Sequence, residues 1–91
     1  MIRHKDLGDN AFARSKALFL KIQNGEIAFG GNKNLKIYGK LNCRAGKRMK
    51  VENRVFFKNE TEAINAGYRP CAVCIRKEYL LWKGKHNAFK L

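Results

Sequence analysis

Residues 67–74 have the sequence Gly67-Tyr68-Arg69-Pro70-Cys71-Ala72-Val73-Cys74. Glycine commonly follows the end of a helix and proline commonly occupies the first turn of one, so the stretch predicts a new helix from about Ala72 to Lys83. The Cys-x-x-Cys pair would bracket the first turn of that helix, where backbone N–H groups lower the pKa of a thiol toward the thiolate form that metals bind. The stretch therefore predicts two metal-binding sulfurs at a helix start.

One further cysteine, Cys43, lies 28 residues before Cys71. A lone cysteine followed by a Cys-x-x-Cys pair is typical of zinc, which takes four ligands in structural sites. The alternatives are three reduced cysteines without a metal, or a thioredoxin-like redox pair. The redox motif, however, usually has its proline between the cysteines or on a distant loop, whereas here Pro70 precedes both cysteines. We predict one Zn²⁺ held by Cys43, Cys71 and Cys74.

The fourth zinc ligand is sought among the two histidines of the chain. His4 leads into the first predicted helix, whereas His86 belongs to a tail rich in lysine, so His4 is easier to hold in one place. We predict His4 as the fourth ligand; His86, a water molecule or an oxygen ligand stays open.

The length of 91 residues predicts a single domain over residues 1–91, and we expect a monomer. A chain this short buries only about 60–65% of its unfolded surface, so a structural metal would supplement a thin core. The sequence has no long apolar run and no signal-peptide pattern, which predicts a cytoplasmic protein with reduced thiols.

The chain carries 20 Lys and Arg against seven Asp and Glu, a net charge of +13. Such an excess indicates a polyanionic partner, and nucleic acid is the usual one. A membrane surface is not expected, because no basic stretch has a continuous apolar face. We predict contact with the backbone of a nucleic acid, DNA or RNA, through Lys40, Arg44, Lys47, Arg48, Lys50 and Arg54.

The remaining patterns predict an α/β (α+β) fold with a short antiparallel sheet of about three strands. The strands are expected at residues 26–29, 35–38 and 54–57, the first two joined by a turn over residues 30–34. A first helix capped by Asp9 or Asn10 would run to Gln23, and a second would follow an Asn59 cap. Residues 84–91 would form a loose tail. The apolar residues expected to form the buried face of the first helix are Phe12, Leu18, Phe19 and Ile22.

The sequence resembles the zinc-binding N-terminal domain of the Ada DNA-repair proteins, and in particular the small stand-alone bacterial relatives of that domain. The resemblance implies an α/β fold, a bound zinc and contact with DNA. The Gly-Tyr-Arg-Pro-Cys-x-x-Cys motif is its most specific part. The matching segments are Gly25–Phe29, Lys36–Gly39, Cys43, Asn53–Phe57, Glu62–Ala63, Gly67–Cys71 and Cys74.

In that family four cysteines bind the zinc, and the first of them accepts a methyl group from a methylated DNA phosphate. Matched to this sequence, the last three ligands fall on Cys43, Cys71 and Cys74, and the first falls on Gly39. Glycine has no sulfur, so the resemblance implies zinc binding without the methyl transfer of the family. The alternative is that Cys43 accepts the methyl group instead, which would make the protein a self-inactivating methyl acceptor.

Overall fold

The computed structural model describes residues 1–43 and 49–89, with side chains described as far as Gly84. Two short 3₁₀ turns, His4–Leu7 and Val51–Asn53, precede the first long helix and the fourth strand. The helices are α1 (Ala11–Gln23), α2 (Glu60–Asn65) and α3 (Arg76–Phe89), and the strands are β1 (Ile2–Arg3), β2 (Phe29–Asn32), β3 (Ile37–Lys40), β4 (Arg54–Phe57) and β5 (Arg69–Pro70).

The strands form one mixed sheet in the order β1-β4-β2-β3-β5. All neighbouring pairs are antiparallel except β3 and β5, which are parallel, with Ile37 opposite Arg69 and Tyr38 opposite Pro70. The predicted α/β class is confirmed, although the sheet has five strands where about three were expected. The two additional strands, β1 and β5, are two residues long and lie at the sheet edges.

Strand β2, the first strand of the β2–β3 hairpin, begins three residues later in the chain than the sequence pattern predicted. Gly30 and Gly31, predicted to belong to the turn, pair with both β3 and β4. A Cβ atom on Gly31 would lie 3.0 Å from the carbonyl oxygen of Ile37 and 3.0 Å from the ring of Phe57. Glycine is therefore required here by the close approach of neighbouring groups, not by a turn. The actual turn, residues 33–36, is held by the Asn32 side chain, which accepts backbone hydrogen bonds at 2.9 and 3.1 Å.

The core lies around β4, the strand whose bounds the sequence predicted correctly. Val55, Phe56 and Phe57 are all fully buried. The ring of Phe57 packs edge-on against Tyr68, with ring centroids 4.9 Å apart. On β3, the hydroxyl of Tyr38 donates a hydrogen bond of 3.0 Å to the carboxylate of Glu60, which ties α2 to the sheet.

Helix α1 has the predicted bounds but not the predicted buried face. The Asn10 side chain accepts a hydrogen bond from the backbone of Ala13, so Asn10 is the N-cap. No residue of α1 is buried, and Phe12 is 80% exposed; Phe19 and Ile22 are exposed too, while Leu18 is half-buried. The prediction was wrong because helical spacing identifies an apolar stripe but not whether another element covers it. Here α1 packs mainly on the His4–Leu7 turn.

Helix α2 begins as predicted, since the Asn59 side chain accepts a hydrogen bond of 2.8 Å from the backbone of Glu62. Gly67, two residues after the last residue of α2, has a φ of +87°, the left-handed conformation that favours glycine after a helix. The chain then enters β5.

The stretch 69–75 differs from the helix start that the sequence predicted. Arg69 and Pro70 form the edge strand β5, a position where the missing N–H of proline costs no ladder hydrogen bond. Cys71 to Cys74 form a turn, and α3 begins only at Arg76. The helix then continues through Gly84 to Phe89, beyond the predicted end at Lys83, because one glycine costs a helix only about 1 kcal/mol.

Within residues 1–43 and 49–89, no helix combines the length and the apolar character needed to cross a membrane.

Candidate metal centre

The fold brings the three cysteines into one cluster. Parallel strands β3 and β5 lie side by side, so the chain leaves both at the same end of the sheet. Cys71 follows β5 directly, Cys43 follows β3 by three residues, and Cys74 completes the turn after Cys71. The three sulfur atoms lie within 4.8 Å of one another.

The spacing of the sulfur atoms fits a zinc ion. Tetrahedral zinc with Zn–S bonds of about 2.3 Å places two ligand sulfurs about 3.8 Å apart. The Cys43 and Cys71 sulfurs are 3.8 Å apart. Three thiols that lie within 4.8 Å of one another, one pair of them at this spacing and all free of disulfide bonds, are a donor set that suits Zn²⁺.

Backbone N–H groups support the sulfurs from outside the cluster. The Lys40 N–H donates to the sulfur of Cys74 at 3.3 Å, and the Val73 N–H donates to that of Cys71 at 3.4 Å. Such outer hydrogen bonds orient metal ligands and stabilise the negative charge on sulfur. One donor, Val73, lies in the turn between Cys71 and Cys74, and the other, Lys40, is the last residue of β3, so neither belongs to the helix that the sequence predicted.

The metal-free thiols differ in acidity. Burial raises the pKa of Cys71, but hydrogen bonds from the backbone of Cys74 and Val73, together with the Cys43 thiol, outweigh burial and leave that pKa below its ordinary value. Burial also raises the pKa of Cys74, and the neighbouring sulfurs add to the effect, so that it reaches about 11 despite the Lys40 N–H. Cys71 thus ionises before Cys74, and metal binding must displace the proton of Cys74.

Gly39 faces the cluster from β3. A Cβ atom built on Gly39 would lie 2.6 Å from the Cys74 sulfur and 3.9 Å from the Cys71 sulfur. A side chain at position 39 would therefore point directly at the metal ligands. This is the place at which the sequence comparison put the missing first ligand.

His4, predicted as the fourth ligand, does not belong to the cluster in this structure. Among the described side chains, the group that could hold a metal contains the three cysteines alone. His4 follows β1, and three strand spacings of about 4.8 Å, about 14 Å in all, separate β1 from β3. Its ring instead packs edge-on against Phe56, with centroids 5.4 Å apart.

The surroundings of His4 also favour the neutral form of its imidazole. Burial lowers the pKa of His4, and the nearby charges of Arg54 and Arg14 lower it further. Its Nδ1 atom is buried and has no hydrogen-bond partner among the described residues. His4 is therefore a neutral packing residue. The other histidine, His86, has a side chain outside the described set; its backbone lies ten residues beyond the start of α3, about 15 Å along the helix.

A cavity of about 240 Å³ opens beside the cluster. Gly39, Cys43 and Cys71 line it, and so do two of the predicted nucleic-acid-binding residues, Lys40 and Arg54. Lys50 is exposed but does not line the cavity. The predictions for Arg44, Lys47 and Arg48 lie outside the described residues.

The cavity has a third basic lining residue, Arg69, which the sequence reasoning did not assign to binding. Its guanidinium lies over the rings of Tyr79 and Trp82, at 5.6 and 5.8 Å from their centroids, and so joins β5 to α3. Arg54 is held similarly, 5.2 Å from the centroid of Phe56 and with a hydrogen bond of 3.4 Å to the carbonyl of Leu41. The position of Arg69 in the Arg-Pro-Cys motif was the signal in the sequence that could have identified it as a candidate binding residue.

Comparison with known proteins gives the family. No curated protein and no solved structure matches the chain. The family model described as the metal binding domain of Ada matches residues 22–76, which include β2 to β5, α2 and all three cysteines. That match covers more than half of the 91 residues. The chain therefore belongs to the family of the Ada metal-binding domain, and its cofactor is zinc.

Proposed function

We propose that this zinc domain binds the sugar–phosphate backbone of DNA through the basic residues around the cysteine cluster, and that it does not accept methyl groups. The observation that carries the first part is the position of Lys40 and Arg54 in the wall of the cavity beside the cluster. Arg69 adds a third positive charge to the same wall. In a chain of net charge +13, this clustering favours phosphate as the group bound there.

The arrangement favours contact with phosphates over reading of bases. Exposed aromatic rings that could stack on bases do occur, namely Phe12 and Phe19 of α1. However, α1 packs on the His4–Leu7 turn next to β1, at the opposite edge of the sheet from the cysteines. The exposed rings therefore lie near a different edge of the sheet from the basic cavity, which favours phosphate contact over base stacking at the cavity.

The DNA-binding proposal predicts a specific salt dependence. Affinity for duplex DNA should fall as salt rises, with a slope of about −0.9 per phosphate contact in a plot of log affinity against log salt concentration. Replacing the exposed Lys40 and Lys50 by Gln should make the slope shallower by about 1.8, corresponding to two lost contacts. Fluorescence anisotropy at several salt concentrations measures both values.

A matched control removes the same charge elsewhere. Lys5 and Lys16 are also exposed, but they lie in and beside α1. The double change of these two to Gln should alter the slope by less than half as much. Equal effects of the two pairs, or no binding at low salt, would contradict the proposal. Tighter binding to RNA than to DNA of the same length would favour the RNA alternative.

The second part of the proposal rests on Gly39 and on the burial of Cys43. Four thiolates around Zn²⁺ carry an excess of two negative charges, which keeps a bound sulfur nucleophilic; three thiolates carry an excess of only one. Cys43 is 8% exposed and lies within hydrogen-bonding distance of the Cys71 sulfur, so a DNA phosphate has little access to it. Methyl transfer to Cys43 is therefore disfavoured by both charge and position.

Intact-mass spectrometry after incubation with DNA carrying methylated phosphates tests this point. The native protein should keep its mass, whereas one transferred methyl group adds about 14 Da when a thiolate acts as the nucleophile. The Gly39→Cys variant should gain that mass once the Cys74 sulfur moves away from the new Cβ. Gly30→Cys is the matched control, because it adds a thiol on the neighbouring strand without a close contact. A gain of mass on native Cys43 would refute the proposal.

A further inference from the structure

The described side chains provide three ligands for the zinc, whereas structural zinc takes four. Among the described side chains, no His, Asp or Glu joins the cysteine cluster. Residues 44–48, whose structure is not described, contain only Arg, Ala, Gly and Lys, none of which is a common zinc ligand. The fourth ligand must therefore come from outside the described side chains.

The open position faces a cavity and not the packed core. Gly39, Cys43 and Cys71 all line the cavity of about 240 Å³, whereas Cys74 does not. The cavity thus meets the cluster on the side of Cys43, Cys71 and the backbone of Gly39. Zinc sites that keep one position free of protein ligands bind an exogenous group there.

The cavity wall indicates which kind of group fits. Its cationic members, Lys40, Arg54 and Arg69, favour an anion. Its apolar members, which include Leu35, Leu41 and Val73, favour an anion that carries a short organic part over hydroxide or a halide. Zinc already bound by three sulfurs accepts a further soft ligand readily.

We infer that the position opposite Gly39 binds a small organic thiol, which enters through the cavity and supplies the fourth sulfur as its thiolate. The thiol gives up its proton to solvent on binding, and no other bond is made or broken. The inference rests on zinc binding and not on the DNA-binding proposal, so either can fail without the other.

Cobalt substitution makes the fourth ligand visible, since Co²⁺ occupies tetrahedral sulfur sites and absorbs light according to its ligands. Titration of the Co²⁺-loaded native protein with 2-mercaptoethanol should raise the sulfur-to-cobalt charge-transfer band by about one third, the increase from three thiolates to four. Ethylene glycol, which has the same shape with oxygen in place of sulfur, should leave the band unchanged. An unchanged band with the thiol, or loss of all cobalt absorption, would overturn the inference.

Two variants locate the bound thiol. Gly39→Cys should show the higher band without any added thiol and should not respond to 2-mercaptoethanol; a response equal to that of the native protein would overturn the assignment of the position. His86→Ala tests the one histidine whose side chain is not described. It should titrate like the native protein, and binding that appears only in this variant would mean that His86 holds the fourth position. Should Gly39→Cys fail to bind cobalt, the titrations of the native protein and His86→Ala still decide the question.

Discussion

Removal of the zinc with a chelator is expected to lower the melting temperature by about 16–32 °C. A ligand present at about 1,000 times its dissociation constant stabilises the folded state by about 4 kcal/mol. In a domain of this size, each kcal/mol corresponds to about 4–8 °C. Zinc binds the folded chain almost exclusively, because only folding brings Cys43 next to the pair of cysteines that lies 28 residues further on.

The structure gives a second reason for a large effect. Cys43 and Cys71 are only 8% and 7% exposed, and they belong to the same buried cluster as Tyr38, Phe57 and Tyr68. Loss of the metal therefore loosens the core itself and not only a surface loop. Circular dichroism melting with and without chelator measures the change, and metal analysis should give one zinc per chain.

The controls for chelation use metal replacement. Adding zinc back should restore the original melting temperature, whereas magnesium should not, because Mg²⁺ prefers oxygen ligands. Cys71→Ser should melt near the chelated protein and respond little to either metal. A melting curve that chelator leaves unchanged would show that the cysteines do not hold a stabilising ion.

The Phe57→Ala variant is expected to lose about 3–5 kcal/mol of folding free energy. Phe57 is fully buried on β4, and its ring contacts Tyr68 edge-on at a centroid distance of 4.9 Å. Truncation removes that contact and leaves a cavity between the sheet and the segment after α2. Since small domains have a total stability of about 5–15 kcal/mol, a loss of this size leaves the variant marginally folded.

Phe12→Ala is the matched control, because it removes the same atoms from a side chain that is 80% exposed. Its stability should stay within about 0.5 kcal/mol of the native value. Urea unfolding of the zinc-loaded proteins measures both changes. If Phe12→Ala is the more damaging of the two, α1 is covered in solution by something other than the packing described here.

The amino-acid sequence by itself determined the elements that depend on local chemistry. Asn10 and Asn59 cap their helices because their side chains reach backbone N–H groups three residues away, a contact that needs no tertiary partner. The three thiols and their spacing were likewise sufficient to predict zinc. The run Arg54–Phe57 was recognised as a strand because it is short, β-branched and aromatic.

Only the tertiary structure decided the features that depend on neighbours distant in sequence. The sequence at Gly30 and Gly31 is typical of a turn, but in the fold both residues belong to β2 and pair with β3 and β4. Arg69–Pro70 likewise forms a strand only because it pairs with β3. The apolar stripe of α1 is exposed because no element among the described residues covers it, which its periodicity cannot reveal. His4 was a plausible zinc ligand by composition, but sheet order places it at the opposite edge from the cysteines. A ligand set depends on distances between strands, and those distances are fixed by pairing across the whole sheet.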